Sequence, residues 1–262
     1  MTDPALPRTA LRGRSCEPDV RRRARTDDFG RVPHDLRISV AVGLTERPER
    51  LGPFVKALAA QRLAGGSSPF DDDAAEVLGA LDEDLDVAAA ELATLATVHP
   101  WLRIVPVRLG GAADRAGRAR QLAADAACTR LLAAGDPAGL VVPLDLDDRL
   151  EPDALARCLA ETEAGADAVR WGPEGGTLYL VGSAASAAGS AVTARAYAWV
   201  GGLDLDTSPA ALADAVDAAG GLVAQHVDGA PVEAQPLPLG SAPSGPADRP
   251  PRMPARPAAL AS

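Results

Sequence analysis

The sequence is poor in aromatic residues, which make up 3% of its 262 residues, and it contains no asparagine. A large core of stacked rings is therefore excluded, and leucine, valine and alanine must supply the packing. Apolar residues account for 47% of the chain, which is enough to bury a sizeable core. The length suits one large domain, or one domain with terminal extensions.

Basic stripes and long apolar runs are also missing. The formal charge is −10, whereas a nucleic-acid binder needs a basic surface, so we expect no nucleic-acid partner. No apolar run approaches the ~20 residues of a membrane-spanning helix, and the N-terminus lacks the apolar stretch of a signal peptide. Cys16, Cys128 and Cys158 have no paired spacing, which favours buried thiols over metal or nucleophile roles. We therefore predict a cytoplasmic protein without a transmembrane segment.

Composition divides the chain into three parts. Residues 1–37 are rich in Arg, Pro and Asp and have no apolar period, which predicts a disordered or loosely docked Arg-rich arm. Residues 234–262 are rich in Pro and Ala, which predicts a flexible tail. Residues 38–233 should form the folded domain.

Apolar runs and amphipathic patterns alternate through this domain. The predicted strands are 38–42, 76–81, 102–107, 140–144, 167–171, 177–181 and 222–224, and the predicted helices are 48–61, 86–98, 112–134, 151–164, 194–200 and 210–219. This alternation predicts a single α/β domain with a mostly parallel central sheet and helices on both faces. Pro143 argues against a central position for its strand, because proline removes one ladder donor.

Acidic residues follow two of the predicted strands, where ligands of such folds bind. One cluster is Asp82-Glu83-Asp84-Leu85-Asp86, and the other is Asp145-Leu146-Asp147-Asp148. Residues i and i+2 of an extended chain point the same way, so Asp145 and Asp147 can face one cleft. Two carboxylates suit Mg²⁺ or Mn²⁺. The alternative is a solvated turn in which Asp148 or Glu151 caps the next helix.

Five segments resemble family 2 glycosyltransferases, which have the GT-A fold and use nucleotide sugars. They are ISVAVGLTERPERLGPFVKALAAQ (residues 38–61), EVLGALDEDLD (76–86), RARQ (118–121), GLVVPLDLDDRLEPDALARCLAE (139–161) and ARAYAWVGGLD (194–204). Their order and spacing match the family from about residue 38 to residue 227. Together they are fairly specific, although each alone is not.

The resemblance implies roles for residues at the strand ends. The candidate nucleotide-binding residues are Thr45, Glu46, Asp82, Asp84, Arg120 and Asp145. Of these, Asp82 or Asp84 would contact the nucleoside and Arg120 the diphosphate. Asp145 and Asp147 would bind Mn²⁺ or Mg²⁺. The implied reaction transfers a sugar from a nucleotide-diphosphate donor to an unknown acceptor hydroxyl, with inversion.

The sequence departs from the family where a general base is expected. A Glu-Asp pair usually follows the Gly-Gly-Leu-Asp element, but Ala210-Ala211 stand in its place. Asp206 is the candidate substitute, although capping of the helix at Pro209 is the favoured interpretation. Gly43 also replaces a common proline, and Gln121 replaces asparagine.

Three hypotheses follow from these patterns. The first is a metal-dependent glycosyltransferase, and the second is a catalytically inactive relative that binds nucleotide or serves as a scaffold. The third, a sugar-phosphate nucleotidyltransferase, is disfavoured because residues 43–47 lack a Gly-rich loop with a basic finger. The donor sugar, the base, the acceptor and the oligomeric state are not indicated by the sequence.

Overall fold

The computed structural model describes residues 20, 29–44, 50–71, 73–82, 89–107, 115–146, 148, 150–171, 189–203 and 209–225. All of them belong to one unit, Met1–Val232, and the predicted tail at 234–262 lies outside the described residues. The described helices include none that is long and apolar enough to cross a membrane.

Strands and helices alternate along the described chain. The strands are β1 (Ile38–Leu44), β2 (Ala75–Asp82), β3 (Leu102–Val107), β4 (Leu140–Leu144), β5 (Ala168–Trp171), β6 (Gly189–Thr193) and β7 (Val223–Gln225). The helices are α1 (Leu51–Ala59), α2 (Ala89–Val98), α3 (Arg115–Ala133), α4 (Ala154–Glu163), α5 (Ala194–Val200) and α6 (Pro209–Ala218).

The strands form one mostly parallel sheet in the order β3-β2-β1-β4-β6-β5-β7. β3, β2, β1 and β4 are mutually parallel neighbours, whereas β6 runs antiparallel to β4 and β5. The carboxyl ends of the first four strands therefore lie along one edge. The winding reverses between β1 and β4, which is the position where open α/β sheets form a ligand crevice.

Alternation along β1 separates the two faces of the sheet. Ile38, Val40 and Val42 pack with α1 and α4 on one face, and Ala41 packs with α3, α5 and α6 on the other. The small residues of β1 lie on the second face, where α3 can approach closely. The predicted mostly parallel sheet with helices on both faces is thus confirmed.

Strand β6 was not predicted from the sequence. The strand predicted at 177–181 lies outside the described residues, while Gly189–Thr193 forms the antiparallel strand between β4 and β5. β6 pairs with β4 through Leu140 and Val141, which leaves Pro143 beyond the end of that ladder. The missing N–H of Pro143 therefore breaks no bond to β6, and its strand can occupy a central position.

Residues before Ile38 contribute to the core. Val20, Phe29 and Leu36 are buried with the residues of α3. The packed region therefore begins earlier than the predicted domain start at residue 38. The apolar residues of this segment are too widely spaced for a periodic pattern, so the sequence did not indicate their burial.

Candidate functional site

Asp145 lies at the carboxyl end of β4, where the winding of the sheet reverses. The register pairs Val42 of β1 with Leu144 of β4, so β4 ends at the level of Val42 and β1 continues two residues further to Leu44. The Asp145 side chain is 50% exposed. A carboxylate at this position can reach a ligand bound across the ends of β1 and β4.

Arg120 reaches this carboxylate from the first half of α3. Its Nη1 donates to Asp145 Oδ2 at 3.2 Å, and its side chain is 15% exposed. Both residues were predicted as site residues from the sequence, but their contact was not predicted. A guanidinium and a half-exposed carboxylate therefore share the edge of the sheet.

Gly43 explains how α3 comes close enough for this contact. A Cβ atom at Gly43 would lie 2.9 Å from the Ala116 carbonyl oxygen and 3.0 Å from the Arg120 nitrogen. Both are backbone atoms of α3, so any larger residue would push the helix away. The sequence resemblance led us to expect a proline at this position, and the Cβ of a proline would not fit the observed packing.

Asp148 fixes the backbone of the turn that carries Asp145. Its Oδ2 accepts the Asp145 N–H at 2.8 Å, and its own N–H donates to the Asp145 carbonyl at 2.9 Å. Asp148 is buried. The carboxylate predicted as a possible helix cap thus holds the strand-end turn through the Asp145 backbone, while the Asp145 side chain contacts Arg120.

Gln61 holds the other end of this segment. Its side-chain oxygen accepts the N–H of Leu155 in the first turn of α4, and its Nε2 donates to the Glu151 carbonyl. Gln61 is completely buried. Glu151, the second predicted cap, pairs through its side chain with Arg157. The chain between β4 and α4 is thus anchored by a residue that follows α1, an arrangement that no local pattern indicated.

A second contact from α3 holds the segment after α5. Gln121 donates to the Leu203 carbonyl at 2.6 Å, and the Tyr197 hydroxyl accepts the Leu203 N–H at 3.1 Å. Tyr197 also donates to Asp125 at 2.9 Å, and both side chains are buried. Burial, with the nearby Asp125 carboxylate, raises the pKa of Tyr197 and keeps the hydroxyl protonated. An isolated acidic residue in an Ala-rich helix, Asp125, was the sequence feature that could have indicated this buried contact.

Several predicted site residues are not covered by the structure. Thr45, Glu46, Asp84, Asp147 and Asp206 lie outside the described residues, and Asp82 ends β2 without a described side chain. Among the described residues, no group of three or more His, Cys, Asp or Glu side chains could hold a metal ion. The predicted cation site therefore remains a prediction that depends on Asp147.

The described part of the predicted cation site fits a divalent cation. Asp145 offers an accessible carboxylate, which is the oxygen ligand that Mg²⁺ and Mn²⁺ prefer. Asp145 and Asp147 together would hold the cation.

The architecture is similar to that of a solved glycosyltransferase. A mannosyltransferase from Pyrobaculum calidifontis, PcManGT, solved in complex with GDP-Man and Mn²⁺, aligns with a TM-score of 0.51 and 18% sequence identity. The alignment covers 88% of this chain and 69% of that chain. The fold is glycosyltransferase-like. No family model and no curated protein matches the sequence.

Proposed function

We propose that this protein is a metal-dependent glycosyltransferase of the GT-A fold and of family 2 character. It would transfer a sugar from a nucleotide-diphosphate donor to an acceptor hydroxyl, with inversion. The observation that carries the proposal is the contact between Arg120 and Asp145 at the reversal of the sheet. A guanidinium and a carboxylate are the groups that a diphosphate and its cation require. The mannosyltransferase of similar fold, solved with GDP-Man and Mn²⁺, supports the same proposal.

The strand ends and helix α3 contribute different parts of the proposed site. Arg120 would bind the diphosphate, and Asp145 with Asp147 would bind Mn²⁺ or Mg²⁺. The cation would offset the negative charge that develops on the departing diphosphate. Thr45, Glu46, Asp82 and Asp84, at the ends of β1 and β2, would contact the nucleoside.

An inactive nucleotide-binding or scaffold protein is the second candidate function. Ala211 lies on α6, and an alanine at the place of the family's carboxylate pair cannot accept a proton. Asp214 and Asp217 on the same helix are exposed, and Asp214 pairs with Arg170. If the protein is active, Asp206 is the remaining candidate for the base.

Calorimetric titration with GDP- and UDP-sugars, with and without Mn²⁺, tests the proposal. We expect binding that depends on Mn²⁺ and that loses this dependence in Asp147→Ala. Asp71→Ala is the matched control, because it makes the same change in another Asp-x-Asp, at an exposed turn before β2. Binding that is indifferent to Mn²⁺, or equally weakened in both variants, would contradict the proposal.

Donor hydrolysis and sugar transfer separate the two candidate functions. A glycosyltransferase should release nucleoside diphosphate from the donor that it binds, whereas an inactive relative should bind without turnover. In the second case, the double substitution Ala210→Glu and Ala211→Asp tests whether a carboxylate pair restores turnover.

A further inference from the structure

The contact between Arg120 and Asp145 places a conflict at the centre of the proposed site. Arg120 is largely buried, and a buried guanidinium needs an anionic partner because water no longer stabilises its charge. Asp145 supplies that partner through Oδ2. The same carboxylate is a proposed cation ligand, so a bound cation and Arg120 would place two positive charges at one carboxylate.

We infer that Arg120 exchanges Asp145 for the donor diphosphate when the cation binds, so that cation and nucleotide bind cooperatively. This inference rests on the proposed function. A cation that takes Asp145 alone would face the unpaired charge of Arg120 nearby, which opposes its binding. A diphosphate removes this penalty, because its oxygens pair with Arg120 and with the cation at once. Neither ligand should therefore bind tightly without the other.

Because of the surrounding packing, the exchange involves movement of the Arg120 and Asp145 side chains and not of their backbones. Asp148 holds the backbone of Asp145 in place through two hydrogen bonds, and Gly43 lies against the backbone of α3 at Arg120. Both backbones are thus fixed, while half of the Asp145 side chain is exposed to solvent. The planar fork of an arginine also fits phosphate oxygens as well as it fits a carboxylate.

The first test measures Mn²⁺ binding with and without GDP or UDP by calorimetry. In the native chain, we expect saturating nucleotide to tighten Mn²⁺ binding by about fivefold or more, the usual lower range for coupled sites. In Arg120→Gln, Mn²⁺ alone should bind more tightly than to the native chain, and the coupling should be smaller, because only the direct contact between diphosphate and cation still contributes to it. Arg120→Lys should retain part of the coupling, because it retains the charge.

Arg118→Gln is the matched control for this experiment. Arg118 lies two residues away on α3 and is exposed, so its loss removes the same charge without removing the contact to Asp145. We expect this variant to keep the native coupling. Equal effects of Arg118→Gln and Arg120→Gln would reduce the role of Arg120 to general charge and would overturn the inference.

The second test uses the opposite partner and needs no metal. Asp145→Asn frees Arg120, so GDP or UDP in the presence of EDTA should bind several-fold more tightly than to the native chain. A purely structural ion pair predicts unchanged or weaker metal-free binding in this variant, with a lower unfolding midpoint. That result would overturn the inference even if Arg120→Gln fails to fold.

Failure of the inference can be distinguished from failure of the proposed function. If the native chain binds neither GDP nor UDP with Mn²⁺, both fail. If it binds them but shows no coupling, or a coupling as strong in Arg120→Gln as in the native chain, the inference alone is overturned.

Discussion

At the scale of single residues, a buried ion pair marks the edge of the sheet opposite the candidate site. Arg130 donates from Nε and Nη2 to the two carboxylate oxygens of Glu76 at 2.8 and 2.7 Å, and both side chains are buried. Arg130 also donates to the carbonyls of Gly30 and Arg31. The pair therefore holds the segment before β1 against the sheet.

Removing one partner of this pair should be costly. We expect Glu76→Gln to lower the free energy of unfolding by about 3–5 kcal/mol, because it leaves the Arg130 charge uncompensated in the interior. Denaturant unfolding measures this loss. The double variant Glu76→Met with Arg130→Met should lose less stability than the single variants Glu76→Met and Arg130→Met lose together. Additive losses would show that the two charges do not depend on each other.

Two buried acids should make the protein less stable in alkaline solution. Burial raises the pKa of the Cys158 thiol to about 12, from an ordinary value of about 9. Between these pH values the unfolded chain loses a proton that the native chain keeps, so stability falls as pH rises, by about 1.4 kcal/mol per pH unit. The raised pKa of Tyr197 acts in the same direction above its ordinary value.

Comparison with Cys158→Ala isolates the contribution of the thiol. The variant should be less stable than the native chain at pH 7, because it leaves a small cavity. The difference should shrink as the pH rises from 9 toward 12, since the variant has no thiol to ionise. Urea unfolding across this pH range is the measurement, and a constant difference would contradict the raised pKa.

At the scale of elements, α3 is the support that the two sides of the candidate site share. Arg120 contacts the turn after β4, while the adjacent Gln121 contacts the segment after α5. Further along the helix, Asp125 binds Tyr197 of α5. The position of α3 against β1 therefore sets the separation of these two sides.

Gly43→Ala tests this dependence on helix position. The added Cβ would approach backbone atoms of α3 at about 3 Å, so the helix must shift. We expect a loss of about 1–3 kcal/mol in stability, as in other overpacked interiors, together with weaker binding of GDP or UDP with Mn²⁺. Thermal unfolding and calorimetry measure the two effects.

Gly65→Ala is the control for this substitution. A Cβ at Gly65 meets no atom within 4 Å, and its φ lies outside the left-handed range. This variant should match the native chain in stability and nucleotide binding. A Gly43→Ala protein that does the same would show that α3 tolerates the added atom without moving.

At the scale of the whole molecule, the two termini should differ in their effect on stability. Val20, Phe29 and Leu36 are buried, and each buried side chain of this size contributes about 1.5–3 kcal/mol. A chain that starts at Ile38 should therefore lose most of its stability or fail to fold. A chain that ends at Val232 should unfold at the native midpoint, because the described sheet ends at Gln225.

Circular dichroism during thermal unfolding of both shortened chains checks this difference. An unchanged midpoint after removal of residues 1–37 would mean that the burial of Val20, Phe29 and Leu36 adds little. A large loss after removal of residues 233–262 would contradict the predicted flexible tail.

Much of the fold could be predicted because the sequence patterns that indicate helices and strands are local. Helix α5 was predicted with the observed bounds, and α3 within three residues at each end. β6 was missed because its small residues Gly189, Ser190 and Ala191 carry no strand signal of their own. Their extended conformation is imposed by the neighbours β4 and β5, which a local pattern cannot report.

The sequence by itself determined most of the strands and helices and the place of Asp145 at a strand end, because periodicity and turn residues act between near neighbours. Only the tertiary structure decided which charges meet. Arg120 pairs with Asp145 across 25 residues and Arg130 with Glu76 across 54. Such contacts depend on strand order and on the close approach of α3 at Gly43, and neither is encoded in a local pattern.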